Sequence, residues 1–185
     1  MSDDSERAVI LIVDDTADNI TLLTYLLGGQ YKNKVATNGQ KALQIAFKEP
    51  PDLILLDIMM PGMDGYRVCR ELKAKPATKD VPVIFLTART QEDDEAHGFE
   101  LGAVDYITKP ISPPILMARV QTHISLQQAR KSLAKHNEAL ENLVEVRTRQ
   151  LAGLQDSLIK AMASMAETRD NETGQHIRRT QLYMH

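Results

Sequence analysis

The sequence predicts an α/β fold built on a parallel sheet. Three short, continuously apolar runs are separated by amphipathic segments of roughly ten residues. The runs are Ala8 to Val13, Leu53 to Leu56 and Val81 to Thr87. Apolar runs without polar alternation are typical of strands buried on both faces. Strands that alternate with helices of this length indicate βαβ units, and therefore a parallel sheet.

The weaker elements complete this alternation. Two further strands are predicted near Val35, in KVAT, and near Tyr106, in AVDYIT. The amphipathic segments predict four helices, at Ala17–Leu27, Gln40–Phe47, Gly65–Lys73 and Gln91–Leu101. Residues that interrupt regular structure fall between the elements, at Pro50-Pro51, Pro61-Gly62, Pro76 and Pro110.

After Pro113-Pro114 the sequence follows one long helical pattern. Its d positions are Leu126, Leu133, Leu140, Arg147, Leu154 and Ala161, and its a positions are Arg130, Asn137, Val144, Leu151, Leu158 and Met165. Apolar residues sustained at this spacing predict a coiled coil, and a polar a residue such as Asn137 favours a dimer in fixed register. From Ile115 to Thr168 such a helix would be ~80 Å long. We expect a parallel homodimer; the alternative is one long helix packed on another partner.

Composition limits the classes of function. The 185 residues have a net charge of -3, which gives no electrostatic reason to expect nucleic acid or an anionic membrane as a partner. No apolar run approaches the roughly 20 residues of a membrane span, and the acidic start MSDDSER is not a signal peptide. The single cysteine, Cys69, forms no internal disulfide. We therefore expect a cytoplasmic protein.

Three carboxylates follow predicted strands at the point where each strand ends. Asp14 and Asp15 follow the first run, and Asp57 follows Leu53 to Leu56. If these strands are neighbours, the side chains converge at the carboxyl end of the sheet, where parallel sheets bind ligands. Crowded carboxylates repel unless a cation is present, and Mg²⁺ takes carboxylate, water and phosphate oxygens. The spacing therefore predicts a Mg²⁺ site.

Two later strand ends add a hydroxyl and an ammonium group. Thr87 ends the run VIFLT, and Lys109 follows DYIT. Carboxylates, a metal, a cation and a hydroxyl donor together suit phosphoryl transfer, in which a carboxylate can itself be the nucleophile. Each residue taken singly has a structural interpretation as well: Asp14 as a helix cap and Lys109 as a solvated lysine.

Taken together, these residues resemble the receiver domain of two-component response regulators. The segments that match are IVDD at Asp14-Asp15, LLDIMMPGMDG around Asp57, FLTA at Thr87 and YITKP at Lys109. The resemblance covers residues 8 to about 125. It implies a flavodoxin-like (βα)₅ doubly wound parallel sheet of strand order 2-1-3-4-5, followed here by the long C-terminal helix.

The resemblance also implies a role for each matched residue. Asp57 would accept phosphate from a sensor histidine kinase or from a small donor such as acetyl phosphate. Mg²⁺ would be bound by the side chains of Asp15 and Asp57, by the backbone carbonyl of Met59, and by Asp14 through water. Lys109 and Thr87 would contact the phosphoryl oxygens, and Thr87 and Tyr106 would act as the switch residues.

Two other functions remain open for this region. A phosphatase of the haloacid dehalogenase kind also uses an aspartate nucleophile and Mg²⁺, but its first strand ends in a D-x-D pattern that Asp14-Asp15-Thr16 lacks. A receiver can also serve as a dimerisation or scaffold module that works without phosphorylation. The intact set of residues favours the phosphorylated switch.

The C-terminal segment has a second resemblance. Glu172 and His176 are four residues apart and share one face of a helix, an arrangement that can hold a metal. The segment AETRDNETGQHIRR resembles the start of an HD-GYP domain, a family of cyclic di-GMP phosphodiesterases, in which the matched Glu172 and His176 positions are metal ligands. A histidine phosphoacceptor box at His176 is the alternative, but Ile177 stands where such boxes have an acidic residue.

These patterns divide the chain into three expected parts. Residues 1–125 form the receiver, residues 126–168 the coiled-coil linker, and residues 169–185 the beginning of an HD-GYP-like output domain. The His-Asp pair and the Gly-Tyr-Pro motif of that family do not occur in the sequence. We therefore expect no cyclic di-GMP turnover by this chain, and phosphodiesterase activity in a longer parent protein.

Overall fold

The computed structural model describes residues 7–88, 98 and 100–182, with side chains through residue 162. The strands are β1 Val9–Val13, β2 Lys32–Ala36, β3 Leu53–Asp57, β4 Val83–Thr87 and β5 Asp105–Thr108. The helices are α1 Ala17–Leu27, α2 Gly39–Lys48, α3 Gly65–Ala74 and α4 Pro113–Leu182. All strand pairs are parallel and the order is β2-β1-β3-β4-β5. The predicted fold class and the implied strand order are confirmed.

The two faces of the sheet pack against different helices. Successive strand residues point to opposite faces. Leu11 and Ile54 therefore join a buried cluster with residues of α2 and α3, whereas Ile10 and Leu55 join one with residues of α1 and α4. Because both faces are covered, the inner strands have few positions for polar side chains, which explains the apolar runs in the sequence.

Element boundaries differ from the prediction where backbone chemistry intervenes. β4 begins at Val83 and not at Val81, because Pro82 has no N–H group to donate to a neighbouring strand. The helix predicted over Gln91–Leu101 lies mostly outside the described residues. The long helix begins with Pro113, a favourable first position for proline, and continues past Thr168 to Leu182.

The chain divides into two compact units, Met1–Lys131 and Ser132–His185. The first contains the sheet and the two buried clusters. In the second, every described side chain from residue 132 to residue 162 is exposed. No helix within the described part of the chain combines the length and the apolar character needed to cross a membrane.

Candidate functional site

Asp57 is the last residue of β3 and is only 4% exposed. The chain turns sharply after it, and α3 begins against its backbone at Gly65. A Cβ atom at Gly65 would lie 2.3 Å from the Asp57 carbonyl oxygen, so only glycine permits this close approach. Asp64 caps α3 by accepting a hydrogen bond of 2.8 Å from the Arg67 N–H. The loop and helix therefore pack closely against the Asp57 backbone.

Asp14 is fully buried at the end of β1 and is surrounded by donors. The Thr16 N–H donates to its Oδ1 at 2.9 Å. The Asn19 side-chain amide lies 3.0 Å from both carboxylate oxygens. Thr16, and not Asp14, is the N-cap residue of α1. The Asp14 carboxylate is thus fixed in place by protein groups and does not serve as the helix cap.

Lys109 joins the two buried carboxylates. Its Nζ lies 2.9 Å from Asp14 Oδ2 and 2.9 Å from Asp57 Oδ2. Its backbone N–H donates to the Thr87 carbonyl at 2.7 Å, and its peptide bond to Pro110 is cis. The lysine therefore reaches into the site from the end of β5, beside the end of β4.

Asp15 completes a group of three carboxylates. Its side chain is exposed, and carboxylate oxygens of Asp14, Asp15 and Asp57 lie within 4.8 Å of one another. Burial raises the pKa of Asp57, and the Asp14 charge adds to the rise, although Lys109 opposes it. Burial lowers the pKa of Lys109, but its hydrogen bonds to Asp14 and Asp57 outweigh that effect and the net pKa is raised. The Lys109 ammonium group thus contacts two carboxylates at once, those of Asp14 and Asp57.

The donor set of this cluster fits a hard divalent cation. Mg²⁺ prefers carboxylate oxygens and keeps several waters. Asp15 faces solvent, and each Asp57 oxygen has one protein contact, whereas each Asp14 oxygen accepts two hydrogen bonds from the protein. The arrangement leaves Asp15 and Asp57 as the more available side-chain ligands, and leaves room for water on the exposed side.

The remaining receiver residues lie around the cluster. Thr87 is the buried last residue of β4. Met59 is 62% exposed, and its N–H donates to Asp57 Oδ1 at 3.3 Å. Tyr106 lies on β5, half-buried, with the Arg119 guanidinium carbon 5.7 Å from its ring centroid. The five residues that the sequence predicts at strand ends therefore lie at one end of the sheet. They are Asp14, Asp15, Asp57, Thr87 and Lys109.

Sequence reasoning missed one residue of the site, Asn19. It lies on the first turn of α1 and binds both oxygens of Asp14. An amide five residues after an aspartate is a weak pattern, because it becomes meaningful only when the helix begins directly after the strand end.

Cys69, the single cysteine, is buried, and burial raises the pKa of its thiol to about 11, so it is no nucleophile for this site.

The second predicted metal pair lies apart from this site in the sequence. Glu172 and His176 belong to the helical backbone of α4, but their side chains lie outside the described part of the structure. Their expected role as ligands stays a prediction.

Comparison with known proteins places this chain among signalling proteins. The family described as "Response regulator receiver domain" matches residues 10–121. A "Probable cyclic di-GMP phosphodiesterase" of Vibrio cholerae is 47% identical over 182 residues, which is 98% of this chain and 41% of that protein. "Response regulator PleD" of Caulobacter vibrioides is 47% identical over 116 residues, 62% of this chain and 26% of PleD. The chain thus spans less than half the length of either relative.

Solved structures give the same result for the fold. The chemotaxis protein CheY4 of Vibrio cholerae matches with a TM-score of 0.61 and 28% identity over 63% of this chain and 98% of its own. The signal receiver domain of a histidine kinase from Syntrophus aciditrophicus matches with a TM-score of 0.59 and 37% identity over 64% and 90%. Receiver domains bind Mg²⁺ at an acidic pocket and take phosphate from histidine kinases. The chain belongs to the response regulator receiver family and is a two-component response regulator.

Proposed function

We propose that Asp57 is the phosphoacceptor of this receiver. The observation that supports this most directly is the contact between its Oδ2 and Lys109 Nζ, at 2.9 Å, inside the group of three carboxylates. An aspartate that ends a buried strand beside an ammonium group can present one oxygen to an incoming phosphorus while its backbone stays fixed. Asp14 is less suited, because each of its oxygens accepts from two protein donors. Each Asp57 oxygen has one protein contact, from the Met59 N–H or from Lys109.

Phosphoryl transfer to Asp57 would be a displacement at phosphorus, in which the Asp57 carboxylate replaces the donor group. A carboxylate oxygen of Asp57 attacks the phosphorus, and the bond from phosphorus to the donor breaks. For a phosphohistidine donor the imidazole nitrogen leaves with the electron pair; for acetyl phosphate, acetate leaves. Lys109 then moves its contact from the Asp57 carboxylate to the phosphoryl oxygens, and the Thr87 hydroxyl donates to another of them. Lysine and hydroxyl thereby stabilise charge on the transferred group.

Mg²⁺ would be held by the side chains of Asp15 and Asp57, by the Met59 backbone carbonyl, and by Asp14 through water. Bound there, the cation would neutralise charge shared by the carboxylates and the phosphoryl group. The exposure of Asp15 and the hydrogen bonds that already occupy Asp14 support this division of roles.

Thr87 and Tyr106 are proposed as the residues that transmit phosphorylation. The Thr87 carbonyl accepts from the Lys109 N–H, so the ends of β4 and β5 are joined beside the site. Arg119 of α4 contacts the Tyr106 ring and forms an ion pair with Asp105. A change in the position of the Tyr106 ring would therefore alter the contacts of Arg119 in the first turns of α4. Phosphorylation would shift an equilibrium between two states that already exist.

Acetyl phosphate and Mg²⁺ provide the direct test of this proposal. The intact wild-type protein is expected to gain the mass of one phosphoryl group, and Asp57→Asn is expected to gain none. Asp64→Asn is the matched control, because it changes an aspartate of the same loop and keeps a good helix cap. An unmodified wild-type protein, or equal modification of Asp57→Asn, would contradict the proposal.

We further propose that α4 forms a parallel two-stranded coiled coil with a second copy of the chain. Apolar residues at the predicted a and d positions are largely exposed: Leu133, Leu140, Val144, Leu151, Leu154 and Leu158 range from 58% to 67%. A stripe of this length that repeats every 3.5 residues needs a partner with the same repeat, and a second copy supplies it. Residues 126–168 would then connect the receiver, residues 1–125, to the output domain.

Sedimentation tests the dimer. Leu140→Asp places a charge in the apolar stripe and is expected to shift the protein toward the monomer. Asn142→Asp adds the same charge two residues away, at an f position on the opposite face, and is expected to leave the dimer intact. Equal effects would rule out this stripe as the interface.

Repeating the measurement with beryllofluoride separates a phosphorylation switch from a constant scaffold, which would show no change in assembly or conformation.

The output is proposed to be hydrolysis of cyclic di-GMP in a longer parent protein. The similarity to the Vibrio cholerae relative extends over 98% of this chain, including the segment after the receiver, and this supports the proposal. Residues 169–185 would begin the HD-GYP-like domain, with Glu172 and His176 as two of its metal ligands. This chain alone is expected to release no product from cyclic di-GMP; measurable turnover by it would contradict the proposed division of domains.

A further inference from the structure

A small cavity of about 190 Å³ lies at the opposite end of the sheet from Asp57. Its walls come from the end of α3, the segments before β4 and β5, and the α4 turns around residues 123–130. The cavity lies wholly within the unit Met1–Lys131. It is smaller than the pockets of about 300 Å³ or more that hold drug-sized ligands. Only a small molecule, or one end of a larger one, fits inside.

The charged groups around this cavity are mostly cationic. Lys73, Lys79 and Arg130 line it, together with His123, and Asp80 is the carboxylate among the lining residues. Lys79 and Arg130 form no ion pair with any residue that the structure describes. Cations from α3, from the loop before β4 and from α4 thus face one small volume.

Lys73 is held at the wall of the cavity by the fold. Its Nζ donates to the carbonyls of Lys79 at 3.0 Å and Val81 at 2.8 Å, which leaves a third N–H. Its aliphatic stem packs over Gly102, where the backbone has a φ of +88°, and a Cβ there would meet the stem at 3.4 Å. Burial lowers the pKa of Lys73, and this penalty on the charge is what a bound anion would relieve.

Gln127 is the second, independent sign of a ligand. Its side chain belongs to α4 and lines the cavity, and the residue is only 8% exposed. Its amide makes no hydrogen bond with any part of the chain that the structure describes. Its amide atoms are not fully enclosed by protein, so a molecule in the cavity can reach them. An amide that lines the cavity without a protein partner, beside several cations, is suited to bind an oxygen-rich anion.

We propose that this cavity binds a phosphate group, as inorganic phosphate or as the phosphate of a small monoester. Lys73 and Arg130 would supply the charge and Gln127 a neutral donor. A ligand held there would join α3 and the β4–β5 side of the sheet to α4, close to the point where α4 leaves the receiver. The site would therefore report the level of a phosphorylated metabolite to the same helix that the aspartate site controls, without requiring phosphorylation of Asp57.

Titration of the full chain with sodium phosphate in EDTA tests this proposal, with amide resonances followed by NMR. Sodium chloride at equal ionic strength is the reference. Saturable shifts are expected at Gly102, His123 and the Gln127 side-chain amide. Sodium sulfate and a monoester such as glycerol phosphate, added separately, distinguish a general oxyanion site from one that selects a monoester.

Two variants decide whether the shifts arise from this cavity. Arg130→Gln is expected to weaken phosphate binding by roughly tenfold or more, because it removes one charged contact. Lys135→Gln removes the same charge from an exposed position further along α4 and is expected to change nothing. Gln127→Leu is expected to weaken phosphate binding as well, because it removes the neutral donor. Shifts that do not saturate, or that are the same in Arg130→Gln and Lys135→Gln, would overturn the proposal.

Discussion

Each end of the five-stranded sheet has an aspartate paired with a lysine from later in the chain, and the two pairs differ in burial. At the carboxyl end, Lys109 contacts Asp14 and Asp57, and the three side chains are 21%, 0% and 5% exposed. At the amino end, Lys131 contacts Asp52 at 2.6 Å, with side chains 52% and 26% exposed. Asp52 also accepts from the Val9 N–H at 2.8 Å, so a single carboxylate there has two donors.

The balance of charge differs between the ends in the same way. Three carboxylates lie together at the carboxyl end, and one ammonium group contacts the two that are buried, which leaves an excess of negative charge there. At the amino end, the cavity beside α4 has more cations than carboxylates. One end is thus suited to a metal ion and a phosphoryl group, and the other to an anion. We therefore expect the same type of substitution to change the free energy of unfolding by different amounts at the two ends.

The largest difference is expected between Lys109→Met and Lys131→Met. Removal of Lys109 leaves Asp14 and Asp57 without their shared cation in a buried place, which should cost about 3 kcal/mol of unfolding free energy in EDTA. Removal of Lys131 breaks an exposed pair and should cost less than about 1 kcal/mol. Urea unfolding followed by circular dichroism measures both. Equal losses would show that burial does not separate the two pairs.

The carboxyl-end residues could be predicted from the sequence because each one ends a strand. Asp57 and Thr87 follow apolar runs, and parallel strands bring their ends together whatever the intervening chain does. β2 and β5 were located only approximately, near Val35 and Tyr106, because edge strands are partly exposed and lack a continuous apolar run.

Contacts between elements far apart in the chain could not be predicted. Lys131 is 79 residues from Asp52, and no local pattern marks either of them as a partner. The contact between Asn19 and Asp14 could not be predicted either, because it depends on how α1 starts against β1. The cavity beside α4 depends on three elements at once, so neither its cations nor the unpartnered Gln127 amide stood out in the sequence.

A smaller but more specific effect is expected for Mg²⁺ binding. Asp15→Asn removes a proposed side-chain ligand, and this should weaken Mg²⁺ binding by roughly tenfold or more. Asp18→Asn is the matched control, because it neutralises an acidic residue in the first turn of α1, outside the group of three carboxylates. Isothermal titration calorimetry measures both affinities. If the two variants bind Mg²⁺ equally well, Asp15 is not a ligand.

The smallest expected effect is a difference in pH dependence between the two ends. Burial raises the pKa of Asp57 above its ordinary value of 3.8. Burial alone would also raise the pKa of Asp105, the first residue of β5, but hydrogen bonds from Arg119, the Tyr106 N–H and His123 lower it below that value. Ionisation of Asp57 therefore opposes folding in the absence of metal, and ionisation of Asp105 favours folding.

Each aspartate is compared with its asparagine variant by urea unfolding in EDTA. Relative to Asp57→Asn, the wild type should lose stability as pH rises from about 4 through the higher, folded pKa of Asp57. Relative to Asp105→Asn, it should lose stability as pH falls below about 4, through the lower, folded pKa of Asp105. The two difference curves should therefore slope in opposite directions. Parallel curves would mean that the charge at the carboxyl end is already balanced without a metal ion, and that the contrast between the two ends does not extend to their energetics.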